Sequence, residues 1–261
     1  TIHRHARLQR KHLRNAGPIA VSSPQGRFMA GAARLDGRGL TTIDATGKHL
    51  FYRWDHGDTL HVHLGLFGKY KTFLGDAPSP TDGTRLAMRT EEATIYLAGP
   101  TICELIDPDE EAQLRRRLGP DPLDRRADPE PFIANLSRRR ISIGAALLDQ
   151  KVIAGIGNVY RAELLFLLGI EPHTPANRIG LATARALWDR TVTELRRGEK
   201  GGRIVTTDPA EFGARRDRDL RRDERLYAYK RDGLPCRRCG TEIRITEMAN
   251  RAMWWCPRCQ T

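Results

Sequence analysis

PCRRCGTEIRITEMANRAMWWCPRCQT, residues 235–261, sets two Cys-x-x-Cys pairs sixteen residues apart at the end of a strongly basic chain. Cys236, Cys239, Cys256 and Cys259 have the C-x2-C…C-x2-C spacing of a tetrahedral thiolate zinc site, and the interval suits two knuckles facing each other. A disulfide reading fits a reducing cytosol poorly, and a redox Cys-x-x-Cys would normally occur once, beside a βαβ pattern that this chain lacks. Four cysteines leave no open coordination position, so one structural Zn2+ is expected, holding TEIRITEMANRAMWW (241–255) as a hairpin too short to pack alone. Its tip falls near Asn250 and Arg251. The fifth cysteine, Cys103, reads as a small buried hydrophobe.

The whole chain of 261 residues is long enough for one large domain or two modest ones, and a hydrophobic content of 39% fits a globular class. No apolar run reaches membrane-spanning length, and the basic opening TIHRHARLQRKHLRNAG lacks the apolar core of a signal peptide, so the expected location is the cytosol. Lys and Arg number 44 against 32 acidic residues, a net charge of +12 spread over several segments. Such a surface suits a polyanion, nucleic acid first, because phosphate neutralisation drives that binding. A basic protein without such a partner is the plainer reading.

Between about Val21 and Ile106, short alternating runs are broken by Gly, Asp and Pro, as in GLTTIDATGKHLFYRW (39–54), TLHVHLGLFGKYKTF (59–73) and TRLAMRTEEATIYLAG (84–99). Leu60, Val62 and Leu64 alternate with His61 and His63, the period of a half-buried strand, which predicts an antiparallel β-sandwich or barrel behind a basic helix. GPDPLDRRADPEP (119–131) continues neither element and reads as a linker. FIANLSRRRISIGAALLDQ (132–150), NVYRAELLFLLGI (158–170) and LATARALWDRTVTELRRG (181–198) have helical period, and EFGARRDRDLRRDERLYAYKR (211–231) reads as a solvated loop or short helix. The expected class is therefore α+β. Its domains are a β-sandwich with flanking helices over 1–119, a linker over 120–131, a helical domain over 132–222 and a zinc hairpin over 223–261.

LLDQKVIAGIGNVYRAELL (147–165) joins two apolar helical segments through Gly-Ile-Gly-Asn, with Asn158 placed to cap the second. A glycine-thinned approach to a helix N-terminus makes a phosphate seat. At this point the chain resembles a known family. LLDQKVIAGIGNVYRAELLFLLGI (147–170) looks like the helix-two-turn-helix of the formamidopyrimidine-DNA glycosylase and endonuclease VIII family, and NRAMWWCPRCQT (250–261) resembles its terminal zinc-finger hairpin. GKHLFY (47–52), HVHLGLFGKY (61–70) and RLGPDPL (117–123) keep the family's order and approximate spacing, so the likeness covers nearly the whole chain.

The resemblance implies a bifunctional DNA glycosylase and apurinic/apyrimidinic lyase of base excision repair, acting as a monomer on double-stranded DNA with an oxidised base or abasic site. It would be a cytoplasmic, bacterial-type enzyme working at the nucleoid. The family's nucleophile is the amine of an N-terminal proline, followed by a glutamate that serves as acid/base; the amine forms a Schiff base at C1′ and elimination cuts the strand by β/δ steps. Lys48 matches the β-hairpin lysine that contacts phosphate and assists acid/base steps. Asn158 and Arg251 match phosphate-holding residues, with Arg251 also credited in δ-elimination. His63 matches a DNA-facing strand histidine, and Arg117 is a further DNA contact that reads equally as a helix-end cation. Each of these also has a plain structural reading: a turn lysine, an N-cap, a solvated turn arginine, a polar-face histidine.

The chain departs from the family in three places. It opens on TIHRHARLQR where the family has Pro-Glu-Gly a few residues before the first helix, so Pro-Glu is expected ahead of Thr1 in the mature polypeptide. Leu66 stands where the purine-specific branch has the first residue of its Met-Arg-Phe wedge, and GPTICEL (99–105) has no Arg-x-Phe, which favours the endonuclease VIII branch and oxidised pyrimidines. Met253 occupies a hairpin position often given to threonine. A polypeptide lacking Pro-Glu would instead be a non-catalytic damaged-DNA-binding protein on the same scaffold. A zinc-ribbon accessory factor would explain the cysteines and the charge but leave GKHLFY and DQKVIAGIGNVY unexplained.

Overall fold

The computed structural model describes residues 1–261, which divide into two compact units, Ile2–Arg116 and Arg117–Thr261. In the first, helix α1 (Ile2–Leu13) buries Ile2, Ala6, Gln9 and Leu13, one stripe at helical spacing. It lies on strands β2 and β3 and is followed by left-handed Asn15 and Gly17, which turn the chain into β1 (Pro18–Ser22). Then come α2 (Met29–Leu35), β2 (Arg38–Thr46), β3 (His49–Trp54), β4 (Thr59–His63), β5 (Lys69–Leu74), β6 (Thr84–Arg89), β7 (Ala93–Ala98), β8 (Ile102–Ile106) and α3 (Pro108–Arg116).

All strand pairings in this unit are antiparallel, in the order β5-β7-β6-β1-β2-β3-β4-β8. Short β1 joins the halves: Pro18 and Ile19 pair with β2, while Ala20–Ser22 pair with β6. The two halves fold face to face over one core. Ile19, Ile43, Leu50, Leu60, Leu86, Ile95 and Leu97, all fully buried, meet there with Leu13 of α1 and Leu35 of α2. Each such side chain contributes roughly 1.5–3 kcal/mol, which lets this unit close as a β-sandwich without a metal.

The half-exposed polar face expected for β4 is not observed at His61, which is 1% exposed. The His49 and Phe51 rings and the Glu104 carboxylate lie against it, and helix α3 packs beside them: the Arg115 guanidinium sits 4.1 Å over the Phe51 ring, and buried Glu111 accepts from Arg53, Arg115 and the Thr59 hydroxyl. Period-two alternation shows which side chains meet the core but not what lies on the other face.

The second unit holds α4 (Glu130–Ser137), α5 (Ile143–Ala146), α6 (Asn158–Leu167), α7 (Leu181–Gly201) and the hairpin β9 (Arg244–Met248) and β10 (Arg251–Trp255). Phe132, Leu136, Ile143, Leu147, Ile153, Leu164, Leu187 and Trp188 form its main core, which Met248 and Met253 of the hairpin enter. The stretch 120–131 is a run of turns seated on this unit. Gly119 N–H donates to Gln150 O (2.8 Å), Ala154 N–H donates to Pro120 O (3.0 Å), and Leu123 and Ala127 pack on the core.

The helical reading of 132–154 holds only in part. α5 is one turn, opened by Ser142, whose hydroxyl accepts from Ala145 N–H, and residues 147–157 form turns rather than a helix. Gln150 is the reason: its amide donates to Leu148 O (3.0 Å) and Ile156 O (3.1 Å) while its carbonyl accepts from Gly155 N–H (3.0 Å), satisfying backbone groups that a helix would have paired. The segment 211–231 contains short 3-10 turns, and it is fastened at both ends. Arg197 grips Asp217 with two hydrogen bonds, and buried Glu163 accepts from the N–H groups of Tyr227, Ala228 and Tyr229, each at 2.8 Å. No helix is long and apolar enough to cross a membrane.

Candidate nucleic-acid interface and metal centre

In the first unit, the β2–β3 connection is a two-residue turn, Gly47–Lys48, closed by the Thr46–His49 pair. It sets Lys48 at the rim of the sheet beside His49 and, across the ladder, His63. Burial first, then the Lys48 charge and His61, pull the His63 pKa below its ordinary value, so this imidazole is neutral at physiological pH. Downstream of His63 the chain folds tightly: Thr101 N–H donates to His63 O, and a Cβ on left-handed Gly65 would lie 1.9 Å from the Thr101 hydroxyl. That compact loop thrusts Leu66 outward at 78% exposure. Its neighbour Phe67, which sequence reasoning passed over, is 83% exposed. Two adjacent bare apolar side chains on a fixed loop have the shape and chemistry of a wedge for a base stack. Cys103 packs against the sandwich core, and burial raises its thiol to about 12, which rules it out as a nucleophile.

In the second unit, the Sγ atoms of Cys236, Cys239, Cys256 and Cys259 all lie within 4.8 Å of one another. Cys236–Cys259 is 3.8 Å and Cys239–Cys256 is 3.5 Å, and none is in a disulfide. Burial pushes the Cys256 and Cys259 thiols up, whereas hydrogen bonds from Thr241 bring Cys239 down to about 6. Four thiolates this close require a cation, and the all-sulfur donor set fits zinc. One structural zinc is therefore held by the hairpin. Gln260 braces the site by accepting from Cys256 N–H and donating to Ile170 O.

Asn158 is not the cap of α6. Gly157 holds that position, and Asn158 is the first helical residue, its side chain turned to the hairpin: its amide donates to Ala252 O at 2.9 Å and its carbonyl accepts from Arg161. Arg161, fully buried, also donates to Met248 O (3.1 Å), Ala252 O (2.9 Å) and Gly144 O (3.4 Å). Burial, then the Arg251 charge, lowers it to about 10, so it stays a cation at neutral pH. Arg251 opens β10 at the exposed turn, one residue from Ala252. The structure thus brings Asn158 and Arg251 together at one end of the hairpin through an arginine that no motif reading singled out. Its only signal was a charge amid the apolar run of α6. Arg117 is exposed at the start of this unit, beyond α3.

Comparison with known proteins agrees with this architecture. Residues 2–101 match the formamidopyrimidine-DNA glycosylase N-terminal domain, 118–208 the H2TH domain of formamidopyrimidine-DNA glycosylase, and 233–261 the zinc finger found in FPG and IleRS. Endonuclease 8 1 of Mycobacterium tuberculosis is 43% identical over 265 residues, covering 100% of this chain and 98% of the relative. Formamidopyrimidine-DNA glycosylase of Methylococcus capsulatus is 34% identical over 231 residues, covering 87% and 83%. Among solved structures, Lactococcus lactis Fpg in complex with abasic-site DNA superposes with a TM-score of 0.81 at 25% identity, covering 100% of this chain and 98% of that one. With two matched domains, a matched zinc finger and a relative this similar end to end, the chain belongs to the formamidopyrimidine-DNA glycosylase and endonuclease VIII family.

Proposed function

We propose that this protein is a bifunctional DNA glycosylase and apurinic/apyrimidinic lyase of base excision repair, of the endonuclease VIII branch, with oxidised pyrimidines as favoured lesions. The end-to-end likeness to Endonuclease 8 1 carries the reading. Damage excision requires the base to leave the stack, which costs a few kcal/mol and least at a damaged pair. Leu66, with Phe67 beside it, would fill the vacated space. The family's nucleophile is the amine of an N-terminal proline, with the following glutamate as acid/base. Its attack on C1′ expels the base and leaves a cationic iminium, which acidifies the C2′ proton and lets elimination break the strand. Lys48 would hold phosphate and assist the acid/base steps, and neutral His63 would face the backbone as a hydrogen-bonding group. On the second unit, Asn158, Arg251 and Arg117 would grip phosphates flanking the lesion. The protein would act as a cytoplasmic monomer on nucleoid duplex DNA.

Borohydride trapping on a duplex with one abasic site, run beside an intact-mass measurement of the protein as produced, tests the reading. A covalent adduct with a mass that includes Pro-Glu is the expected result. Tight binding without an adduct in a protein that does carry Pro-Glu would overturn the lyase assignment.

A further inference from the structure

The first unit carries a hydrogen-bonded array that the proposed reaction does not use. Glu104 on the edge strand β8 is 53% exposed, and its carboxylate lies 3.0 Å from Nδ1 of His61. His61 is completely enclosed, and its Nε2 lies 2.9 Å from Nδ1 of His49. The His49 and His61 rings meet edge to edge, inclined by 24° with centroids 5.1 Å apart, and His49 lies 5.0 Å from the ring of His63. The Phe51 ring stacks on His61 at 5.3 Å. Three antiparallel strands in register place these groups in two adjacent cross-strand rows, Phe51–His61–Glu104 and His49–His63, the second of them beside Lys48.

The direction of the array follows from its acceptor end. An ionised carboxylate only accepts, so a neutral His61 has its one proton on Nδ1, toward Glu104, and a bare Nε2 toward His49. That nitrogen in turn must receive the Nδ1–H of His49, which leaves Nε2 of His49 unprotonated. We propose that Glu104 and His61 are positioning residues that hold His49 as the Nδ1–H tautomer, so that the imidazole next to Lys48 presents an acceptor and no charge. The groups facing His49 all favour neutrality: burial first, then His61, His63, Lys48 and Arg115, which together lower it to about 3. An imidazolium at His49 would add a second positive charge beside the Lys48 ammonium, whose field already disfavours it. Placing a buried histidine pair on an exposed carboxylate therefore links the edge strand to the turn that carries Lys48.

The inference rests on the assignment of Lys48 to the acid/base steps, and the test separates the two. Heteronuclear NMR of the full chain with labelled histidine should report both His49 and His61 as Nδ1–H tautomers. Glu104→Leu, at an exposed position that does not threaten folding, should release the tautomers and lower kcat for abasic-strand cleavage about tenfold, as loss of a group orienting a histidine commonly does, with DNA affinity unchanged. Glu104→Gln keeps an acceptor oxygen and should restore the tautomers and most of kcat. The loss caused by Glu104→Leu should vanish in a Lys48→Ala background. An Nε2–H tautomer at His49, or wild-type kcat in Glu104→Leu, overturns the proposal; a silent Lys48→Ala with the tautomers intact overturns the Lys48 assignment instead.

Discussion

Two β-hairpins present the cations assigned to DNA, and they are held in opposite ways. The β2–β3 hairpin turns through Gly47–Lys48, with only Gly47 left-handed, and stands on a sandwich whose Ile43, Leu50 and Tyr52 are wholly buried. The β9–β10 hairpin turns through Ala249–Asn250, both left-handed at φ 55°, and buries only Met248, Met253 and Trp254, while Ile245 stays 52% exposed. The first is supported by hydrophobic area distributed over a whole unit. The second depends on a few strong local ties: the zinc, Arg161, and the Trp254 indole donating to Asp232 at 2.7 Å. A hairpin without a core of its own borrows stability from polar and metal bonds, which are strong but fail when one partner is removed.

Chelation gives the largest separation between them. A structural zinc site contributes on the order of 10 kcal/mol or more, so metal removal should unfold 233–261 and abolish DNA binding while amides of the sandwich, such as Leu50 and Leu60, stay protected in hydrogen exchange. Loss of protection in both units together would break the contrast.

The cations should separate next. Lys48→Ala should lower strand cleavage about a hundredfold while most DNA affinity survives, as expected for loss of an acid/base group. Arg251→Ala should weaken binding and cleavage together and reduce the dependence of log K on log salt by about one, with zinc content unchanged. Normal cleavage by Arg251→Ala would remove its role.

Arg161→Met replaces the buried guanidinium with an apolar chain and leaves the Met248, Ala252 and Gly144 carbonyls without that donor. The expected loss is about 3 kcal/mol of stability in the second unit, read from denaturant unfolding, with hairpin amides the first to exchange. The smallest effect should come from Ala249→Gly. An L-residue held left-handed costs roughly 1–2 kcal/mol, so glycine should stabilise the hairpin by about 1 kcal/mol, visible as slower exchange at Arg251–Trp255 and nowhere in the sandwich.

What was legible in the chain divides along the same line. The four cysteines were readable because coordination geometry forces ligands into short local spacings. The strands were readable because residues such as Leu60, Val62 and Leu64 alternate toward one core. The reading failed where a distant element intervened. His61 looks like a polar-face residue until His49, Phe51 and Glu104 of the neighbouring strands close around it, and Asn158 looks like a cap until Ala252, ninety-four residues away, takes its amide. Residues 147–154 look helical until Gln150 satisfies the backbone in another form. Phe67 lay beside Leu66 without a pattern of its own, and only the fold of the loop shows that both are bare.

The sequence by itself determined the zinc ligands, the basic character, the α+β order and the family, since these follow from spacing and composition along the chain. Tertiary structure alone decided the environments of the polar residues. Arg161 reaches the carbonyl of Ala252 across ninety-one residues and His61 reaches Glu104 across forty-three. Burial and hydrogen bonding set what a charged or titratable side chain does, and both depend on partners whose nearness exists only once the chain has folded.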